Sequence, residues 1–173
     1  MLKLVYPIAE HKNMWLELMK EWNETGEIIV PYALSYRQDS FEIFLTKTEE
    51  SRDNINLGTH VPATTYFLIE DSEEQIIGAV NIRHTLNEDL LLRGGHIGYG
   101  VRPSKRRIGY GTEQLRLALV KCREMGLKKV LITCDKDNTG SSHIIMNNGG
   151  KLENEIIENN GNIVQRYWID LRL

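Results

Sequence analysis

The 173-residue chain has only two cysteines, Cys122 and Cys134, and four prolines. Both cysteines fall in segments that we expect to be a core helix and a core strand, so we predict two buried, reduced thiols. A metal site is not expected, because no Cys and His residues cluster with the spacing of a ligand set. No apolar run approaches the length of a membrane span, and residues 1–7 do not have the pattern of a cleaved signal peptide. We therefore expect a cytoplasmic protein with no membrane partner.

The chain also lacks a large excess of either positive or negative charge. The net charge at pH 7 is −3, and the longest run of basic residues is three, at 105–107. This distribution argues against nucleic-acid binding. Hydrophobic residues make up 41% of the chain and charged residues 26%, which is ordinary for a globular protein. Because no repeat, low-complexity tract or linker interrupts the chain, we predict one domain over residues 1–173.

Residues 97–112 are the most informative part of the chain. Ile97, Tyr99 and Val101 alternate with smaller residues in the pattern of a strand, and Pro103 ends it. Apolar residues then recur at helical spacing up to Gly126, which predicts a helix with one buried face. The residues on that face are Leu115, Ala118, Leu119, Cys122 and Met125.

The junction between this strand and helix has the character of an anion site. A helix N-terminus presents backbone N–H groups that lack partners, and the aligned peptide dipoles favour negative charge there. Lys105, Arg106 and Arg107 lie beside it in sequence. Glycine at positions 109 and 111 lets a phosphate approach the backbone without a Cβ in the way. The alternative is a structural glycine turn with a solvated basic run.

The spacing Arg106-x-x-Gly109-x-Gly111 follows Val101-Arg102-Pro103, with Gly109 eight residues after Val101. It resembles the pyrophosphate loop of the GNAT superfamily of acyl-CoA N-acetyltransferases. Two other phosphate motifs fail on spacing. A P-loop requires Gly-Lys-Ser/Thr after a four-residue gap, and a dinucleotide fingerprint requires Gly-x-Gly-x-x-Gly early in a βαβ unit. Neither occurs in the chain.

The order of elements matches the GNAT fold over nearly the whole chain, most weakly over 25–62. The resemblance implies an α/β (α+β) fold class, with a mixed and mostly antiparallel central sheet of about seven strands flanked by helices. Asn160-Gly161 predicts a final hairpin. Besides the central strand, the predicted strands are 2–6, 64–70, 75–84, 129–134, 151–158 and 163–171. The predicted helices are 8–24, a second capped by Asp39 or Ser40, a turn around 89–92, the central helix, and a short helix capped by Asp137 or Asn138.

The resemblance implies that acetyl-CoA is bound along this junction. Backbone amides from Arg107 to Thr112 would hold the pyrophosphate, and the strand edge at Tyr99–Val101 would pair with the pantetheine arm. A backbone N–H at Tyr99 or Gly100 would then face the thioester oxygen. Glycines 98 and 100 fit a bulge or a close backbone approach, or are incidental. The cofactor-binding residues expected on this basis are Tyr99, Gly100, Val101, Arg106, Arg107, Ile108, Gly109, Tyr110, Gly111, Thr112, Asn138, Ser141 and Ser142.

The short helix after the fifth strand departs from the family. Asn138 suits either a pantetheine contact or a plain helix cap, and Ser141 and Ser142 suit either ligand contact or capping. Many family members carry a tyrosine four residues before the Gly that ends this helix, as the acid for the leaving thiolate. Here that position is Ile145, so Ser142, His143 or water would serve, or no acid is needed.

The expected catalytic residues are His96, His84 and, through its backbone N–H, Tyr99. Histidine suits a base because its ordinary pKa lies near 6.5. We rank His96 first, acting through water, and His84 second, and expect both to face one cleft. A hydrogen-bonded structural histidine is the alternative for each. Glu88 and Asp89 are further candidates, and a solvated turn is the other interpretation of that pair.

The resulting hypothesis is an N-acetyltransferase that transfers acetyl from acetyl-CoA directly to an amine. A covalent enzyme intermediate lacks a suitable nucleophile, since both cysteines are expected to be buried. The alternatives are a non-catalytic acyl-CoA-binding regulatory or interaction domain and a nucleotide-binding module. The acceptor amine, a small molecule or a peptide, is not identified by the sequence. Tyr32 and Tyr36 lie on the acceptor side in this family or belong to the core, and a homodimer stays open.

Overall fold

A computed structural model of the chain describes residues 1–35, 40–71 and 75–172. These ranges contain seven strands and five α-helices. The strands are β1 (Leu2–Val5), β2 (Ala63–Glu70), β3 (Ile76–Arg83), β4 (Ile97–Val101), β5 (Lys129–Asp135), β6 (Lys151–Ile157) and β7 (Ile163–Asp170). The helices are α1 (Lys12–Thr25), α2 (Phe41–Arg52), α3 (Glu88–Leu92), α4 (Tyr110–Glu124) and α5 (Thr139–Asn147). Short 3₁₀ turns cover Ala9–His11, Tyr32–Ser35 and Pro103–Lys105.

The strands form two antiparallel sheets. The first has the order β1-β2-β3-β4 and the second the order β5-β7-β6. This confirms the GNAT-type α/β class and the number of strands that the sequence predicts, and it adds the division of the sheet into two parts. Asp39 lies outside the described residues, and Ser40 caps α2 by accepting the Ile43 N–H.

Two apolar cores cover opposite faces of the first sheet. On one face, aromatic side chains of α1 and α2 such as Trp15, Trp22 and Phe44 pack against Phe67 and Ala79. On the other face, α4 packs its predicted stripe against both sheets. Because α4 follows β4 directly, its N-terminus lies at the end of β4.

Within the described residues, backbone hydrogen bonding joins the two sheets at one place. A single β-bridge joins Gly95 to Ile132, and the next residue, His96, donates its backbone N–H to the Leu131 carbonyl oxygen at 2.7 Å. Beyond His96, no backbone hydrogen bond joins β4 to β5 within the part of the chain that the structure describes. The outer edge of β4 is therefore an open strand edge.

Glycines 98 and 100 make room for the chain's own backbone. A Cβ on Gly100 would lie 2.3 Å from the Val30 carbonyl oxygen, and one on Gly98 would lie 3.3 Å from the Pro31 Cβ. The segment that follows α1 therefore packs directly on β4. The alternative of a bulge is wrong for the β3–β4 pairing, whose register is regular from Gly78 with Val101 to Ile82 with Ile97.

Gly100→Ala tests this close approach. The new Cβ would also lie 2.8 Å from the Trp22 Cη2, and relief requires movement of backbone or of a buried indole. We expect a loss of about 1–3 kcal/mol in the free energy of unfolding, measured by urea denaturation. Gly98→Ala is the graded control and should lose less. Equal stability of Gly100→Ala and wild type would contradict the packing described here.

Candidate active site

A row of backbone N–H groups precedes and opens α4. The N–H groups of Arg107, Ile108, Gly109, Gly111 and Thr112 donate to no described acceptor. Arg107 and Gly109 have positive φ angles of 64° and 96°, which turn the loop tightly. A Cβ on Gly109 would meet nothing within 4 Å. The space above Gly109 is therefore open. A Cβ on Gly111, in contrast, would lie 2.6 Å from the Ile144 Cδ1, so the expectation that Gly111 makes room for a phosphate is corrected: it makes room for α5.

The loop is anchored to α1 by a carboxylate that the sequence analysis did not single out. Glu21 accepts the Ser104 N–H at 2.7 Å and the Arg102 Nε at 2.5 Å. Arg102 is buried, and its Nη1 has no described partner. Burial raises the pKa of Glu21, but the hydrogen bonds from Ser104 and Arg102 outweigh it and hold that pKa below its usual value. Glu21 thus neutralises a buried cation and fixes the start of the loop.

Arg106 has a role different from the one expected. Its Nη1 and Nη2 lie 3.0 and 2.7 Å from the two carboxylate oxygens of Glu27, and its Nε donates to the Val101 carbonyl oxygen at 3.0 Å. The guanidinium also lies over the Trp22 ring, 5.4 Å from its centroid. The expectation that the Arg106 side chain holds an anion is therefore corrected: it binds Glu27, just beyond the end of α1. Arg107 is exposed beside the amide row.

The register of β4 decides which backbone groups face the open edge. The Arg83 N–H donates to the His96 carbonyl oxygen, and the Arg102 N–H donates to the Ile77 carbonyl oxygen. In an antiparallel pair, residues that exchange hydrogen bonds alternate with residues whose groups point away. Even-numbered β4 residues therefore bond to β3, and the N–H of Tyr99 points to the open edge. Of the two N–H groups proposed for the thioester oxygen, that of Gly100 points to β3.

The N-terminus of α5 faces this edge. Asn138 caps the helix by accepting the Ser141 N–H at 3.1 Å. The Ser141 hydroxyl lies 2.9 Å from the Tyr99 hydroxyl. Burial raises the pKa of Tyr99 well above its usual value, so its hydroxyl stays protonated at neutral pH. Ser142 is buried and donates to the Thr139 carbonyl oxygen, and Ile145 is fully buried in the core.

Both cysteines are buried. Burial raises the pKa of Cys134 to about 11, although a hydrogen bond with Ser141 opposes the shift. Burial likewise raises the pKa of Cys122 to about 12. Neither thiol forms appreciable thiolate at neutral pH, which confirms the prediction of two unreactive buried cysteines.

His96 holds the two sheets together. Its Nδ1 accepts the Leu131 N–H at 2.9 Å, so the neutral ring carries its proton on Nε2. Burial, and then the nearby positive charge of Arg83, lowers the pKa of His96 to about 4. A ring in this state has no lone pair available for a substrate proton. The structure therefore argues against His96 as the base.

His84 lies on the other side of the sheet. Its Nε2 is 2.8 Å from the Thr64 hydroxyl, and burial lowers its pKa. Together with Tyr6, Met125 and Leu127 these residues line a cavity beyond the C-terminal end of α4. The expectation that His84 and His96 face one cleft is therefore corrected, because strand alternation puts His84 on the α4 face.

Glu88, Asp89 and the tyrosines also have definite places. Glu88 and Asp89 are exposed in the first turn of α3, which agrees with a solvated turn. Tyr32 is 62% exposed in the segment that packs on β4, so it does not belong to the core. Tyr36 lies outside the described residues. No group of three potential metal ligands occurs within the described ranges, and none of the helices found there is long and apolar enough to span a bilayer.

A comparison with family models decides the family. The model described as "Acetyltransferase (GNAT) domain" matches residues 3–151. The chain belongs to the GNAT acetyltransferase family. No curated protein matches the chain.

Solved GNAT structures share the fold of the whole chain. The microcin C7 self-immunity acetyltransferase MccE, in complex with acetyl-CoA and AMP, is 18% identical, with a TM-score of 0.70 over 98% of this chain and 92% of that one. RimL, a ribosomal L7/L12 α-N-protein acetyltransferase in complex with coenzyme A, is 16% identical, with a TM-score of 0.70 over 98% and 93%. A chimera of Vibrio cholerae spermidine N-acetyltransferase SpeG with hSSAT is 17% identical, with a TM-score of 0.66 over 98% and 95%. At these identities the likeness shows the fold alone.

Glu21→Gln tests the anchor of this GNAT loop. The change leaves the buried Arg102 without a counter-charge, so we expect a loss of about 1–3 kcal/mol at pH 7 by urea denaturation. Because the pKa of Glu21 is lowered on folding, its carboxylate stabilises the fold above its unfolded pKa, and that contribution disappears as the pH falls through the folded pKa. The difference from wild type should therefore shrink below about pH 4.

The matched control is Glu24→Gln, on the same end of α1, where the exposed carboxylate contacts no described cation. It should keep wild-type stability at both pH values. A Glu21→Gln protein as stable as this control at pH 7 would contradict the role given to Glu21.

Proposed function

We propose that this GNAT family member is an acetyl-CoA-dependent N-acetyltransferase that transfers acetyl directly to an amine. The observation that carries the proposal is the continuity between two sets of unpaired backbone groups. The amide row before α4 is an anion site, and the open edge of β4 leads away from it toward Tyr99. A ligand with a pyrophosphate at one end and an amide-containing arm at the other fits this arrangement.

The residues that would hold coenzyme A divide into three groups. The N–H groups of residues 107–112 would bind the pyrophosphate, and Arg107 supplies an exposed cation. The outward-facing groups of Tyr99 and Val101 would pair with the pantetheine arm, although the Val101 oxygen already accepts from Arg106. Asn138 and Ser141 stand across the opening from β4, so that their polar groups would complete the channel.

Acetyl-CoA supplies an activated acetyl thioester. The Tyr99 N–H points into the opening and would donate to the thioester oxygen, where negative charge develops during attack by the amine. A fixed N–H that is already aimed at this oxygen requires no reorganisation, which is how oxyanion sites lower a barrier.

The Ser141 and Tyr99 hydroxyls would supply the proton for the leaving thiolate. They are hydrogen-bonded to each other at 2.9 Å, and the N-terminus of α5 favours negative charge beside them. The Ser141 Oγ would donate its proton to the thiolate and take one back from solvent, which carries the proton released by the amine, while the Tyr99 hydroxyl would hold its orientation. This pair stands in for the tyrosine that Ile145 replaces.

A direct transfer agrees with the state of the cysteines and histidines. The raised pKa of Cys134 disfavours a covalent acetyl-enzyme. Since neutral His96 carries its proton on Nε2 and His84 lies on the other face, we propose that water at the opening takes the amine proton. An alkylammonium has an ordinary pKa near 10.4, so the small unprotonated fraction of the amine would be the species that attacks.

The names of the solved relatives are the guide to the class of acceptor. RimL is named for acetylation of a protein α-amine, and SpeG for acetylation of spermidine. We therefore propose an amine acceptor, and a panel of polyamines, amino acids and peptide N-termini as the search. A non-catalytic acyl-CoA-binding domain is the other candidate, favoured by the buried aliphatic Ile145 at the usual acid position. Release of coenzyme A thiol with one amine of the panel, and not without it, would exclude that candidate.

Coenzyme A binding is tested by Gly109→Val. A valine at a φ of 96° would project its Cβ branch into the open space above the amide row. We expect the Kd for coenzyme A, measured by calorimetry, to rise tenfold or more. Gly126→Val is the matched control, because Gly126 also has a positive φ of 81° and open surroundings but lies at the other end of α4. Unchanged affinity in folded Gly109→Val would refute binding at this loop.

Catalysis is tested by Ser141→Ala with the active amine. Loss of the proton donor should lower kcat by about 10²-fold, a typical contribution of general acid catalysis. The Kd for coenzyme A should change much less, because the Asn138 cap bonds to the Ser141 backbone N–H. Ser142→Ala is the neighbouring control. Wild-type kcat in Ser141→Ala would show that the leaving thiolate needs no proton from this hydroxyl.

A further inference from the structure

The segment that follows α1 connects two parts of the proposed site. Gly26 ends α1 with a left-handed conformation, and the chain then crosses the face of β4. There the Val30 carbonyl oxygen stands over Gly100 and Pro31 over Gly98. Ile28 and Tyr32 are 87% and 62% exposed. Residues 27–35, which we name the crossing segment, therefore pack on β4 with one side and present apolar side chains to solvent with the other.

One side chain joins the crossing segment to the coenzyme loop. Arg106 immediately precedes the amide row, and its Nη1 and Nη2 bind both carboxylate oxygens of Glu27, the first residue of the crossing segment. The hydrogen bond of Glu27 with Arg106 lowers the pKa of that carboxyl, so the pair is fully charged at neutral pH. A two-point Arg–carboxylate contact fixes orientation as well as distance.

The same guanidinium also touches β4 and α1. Its Nε donates to the Val101 carbonyl oxygen, on the open edge of β4, and its plane lies over the Trp22 ring. Trp22 in turn lies against Gly100. Movement of Arg106 would therefore shift the loop, the strand edge and the crossing segment together.

We propose that the Glu27–Arg106 ion pair couples the coenzyme loop to the crossing segment, so that binding of coenzyme A orders the segment and shapes the acceptor side of the cleft. Glu27 is a positioning residue in this scheme, because it acts through Arg106. The inference rests on the proposed function, since it assumes that the loop binds coenzyme A. The ion pair would link the site of coenzyme A to that of the acceptor amine.

The exposure of the ion pair predicts that its loss changes the response of the crossing segment to coenzyme A more than it changes the stability of the fold. The Arg106 and Glu27 side chains are 35% and 48% exposed, and partly exposed ion pairs contribute little to stability by themselves. Ordering of the crossing segment by coenzyme A, in contrast, depends on whether the ion pair holds the segment in a fixed position relative to the coenzyme loop. The melting temperature of a Glu27 variant should therefore stay near that of wild type while its response to coenzyme A changes.

The experiment is amide hydrogen exchange of the full chain with and without saturating coenzyme A. In the wild type we expect coenzyme A to slow exchange in residues 28–34 about tenfold or more. In Glu27→Gln the slowing should fall below about twofold, with protection of the amide row itself retained. Glu24→Gln, on the preceding turn, is the control and should behave as the wild type, and Glu27→Asp should restore part of the effect.

A double-mutant cycle separates the ion pair from other effects. Arg106→Gln should lose the same protection as Glu27→Gln, and the double variant should lose no more than either single one. Full protection of residues 28–34 in Glu27→Gln would overturn the inference and leave the proposed function intact. A wild-type chain that does not bind coenzyme A would refute the proposed function itself. Additive losses in the cycle would also refute coupling through this pair.

Discussion

The open edge of β4 is the constraint on which the candidate site depends. Among the described residues, backbone hydrogen bonds join the two sheets only at Gly95 and His96, so the outward backbone groups from Ile97 to Val101 pair with no described strand. An unpaired edge needs hydrogen-bond partners. The helix that follows β4 brings a second set of unpaired N–H groups to its end. A ligand that satisfies both sets is therefore matched to the backbone, and side chains only refine the fit.

Buried and half-buried charges keep this backbone in place. The loop is rich in cations, yet two of its arginines are neutralised: Arg102 by Glu21 on α1, and Arg106 by Glu27 just beyond it. In the proposed function, the amide row and Arg107 are then left for an anion, and the two ion pairs keep like charges from crowding a tight turn. The basic residues of the loop therefore have two roles, which depend on the side of the loop from which each side chain projects. Some are structural cations paired with carboxylates, and Arg107 is exposed to solvent.

The groups that could transfer protons likewise divide into buried ones and ones at the opening. Burial keeps both cysteines protonated and keeps His96 neutral with its Nδ1 used by the Leu131 N–H. The hydroxyls of Tyr99 and Ser141 are the polar pair at the opening. The chemistry proposed for this protein therefore relies on fixed N–H and O–H donors, and it leaves deprotonation of the amine to solvent.

The sequence by itself determined the strand–loop–helix unit, the family and the element order, because alternation, helical spacing and turn residues act over a few neighbours. It also indicated the buried cysteines and the capping role of Asn138. Tertiary structure alone decided that glycines 98 and 100 accommodate the chain's own Val30 and Pro31, that Arg106 turns toward Glu27, and that His96 bridges the two sheets. Each of these depends on a contact between residues far apart in the chain, such as Glu21 with Arg102, and no local pattern specifies such a partner. The register that points the Tyr99 N–H outward is likewise a property of two paired strands, and one strand's sequence does not contain it.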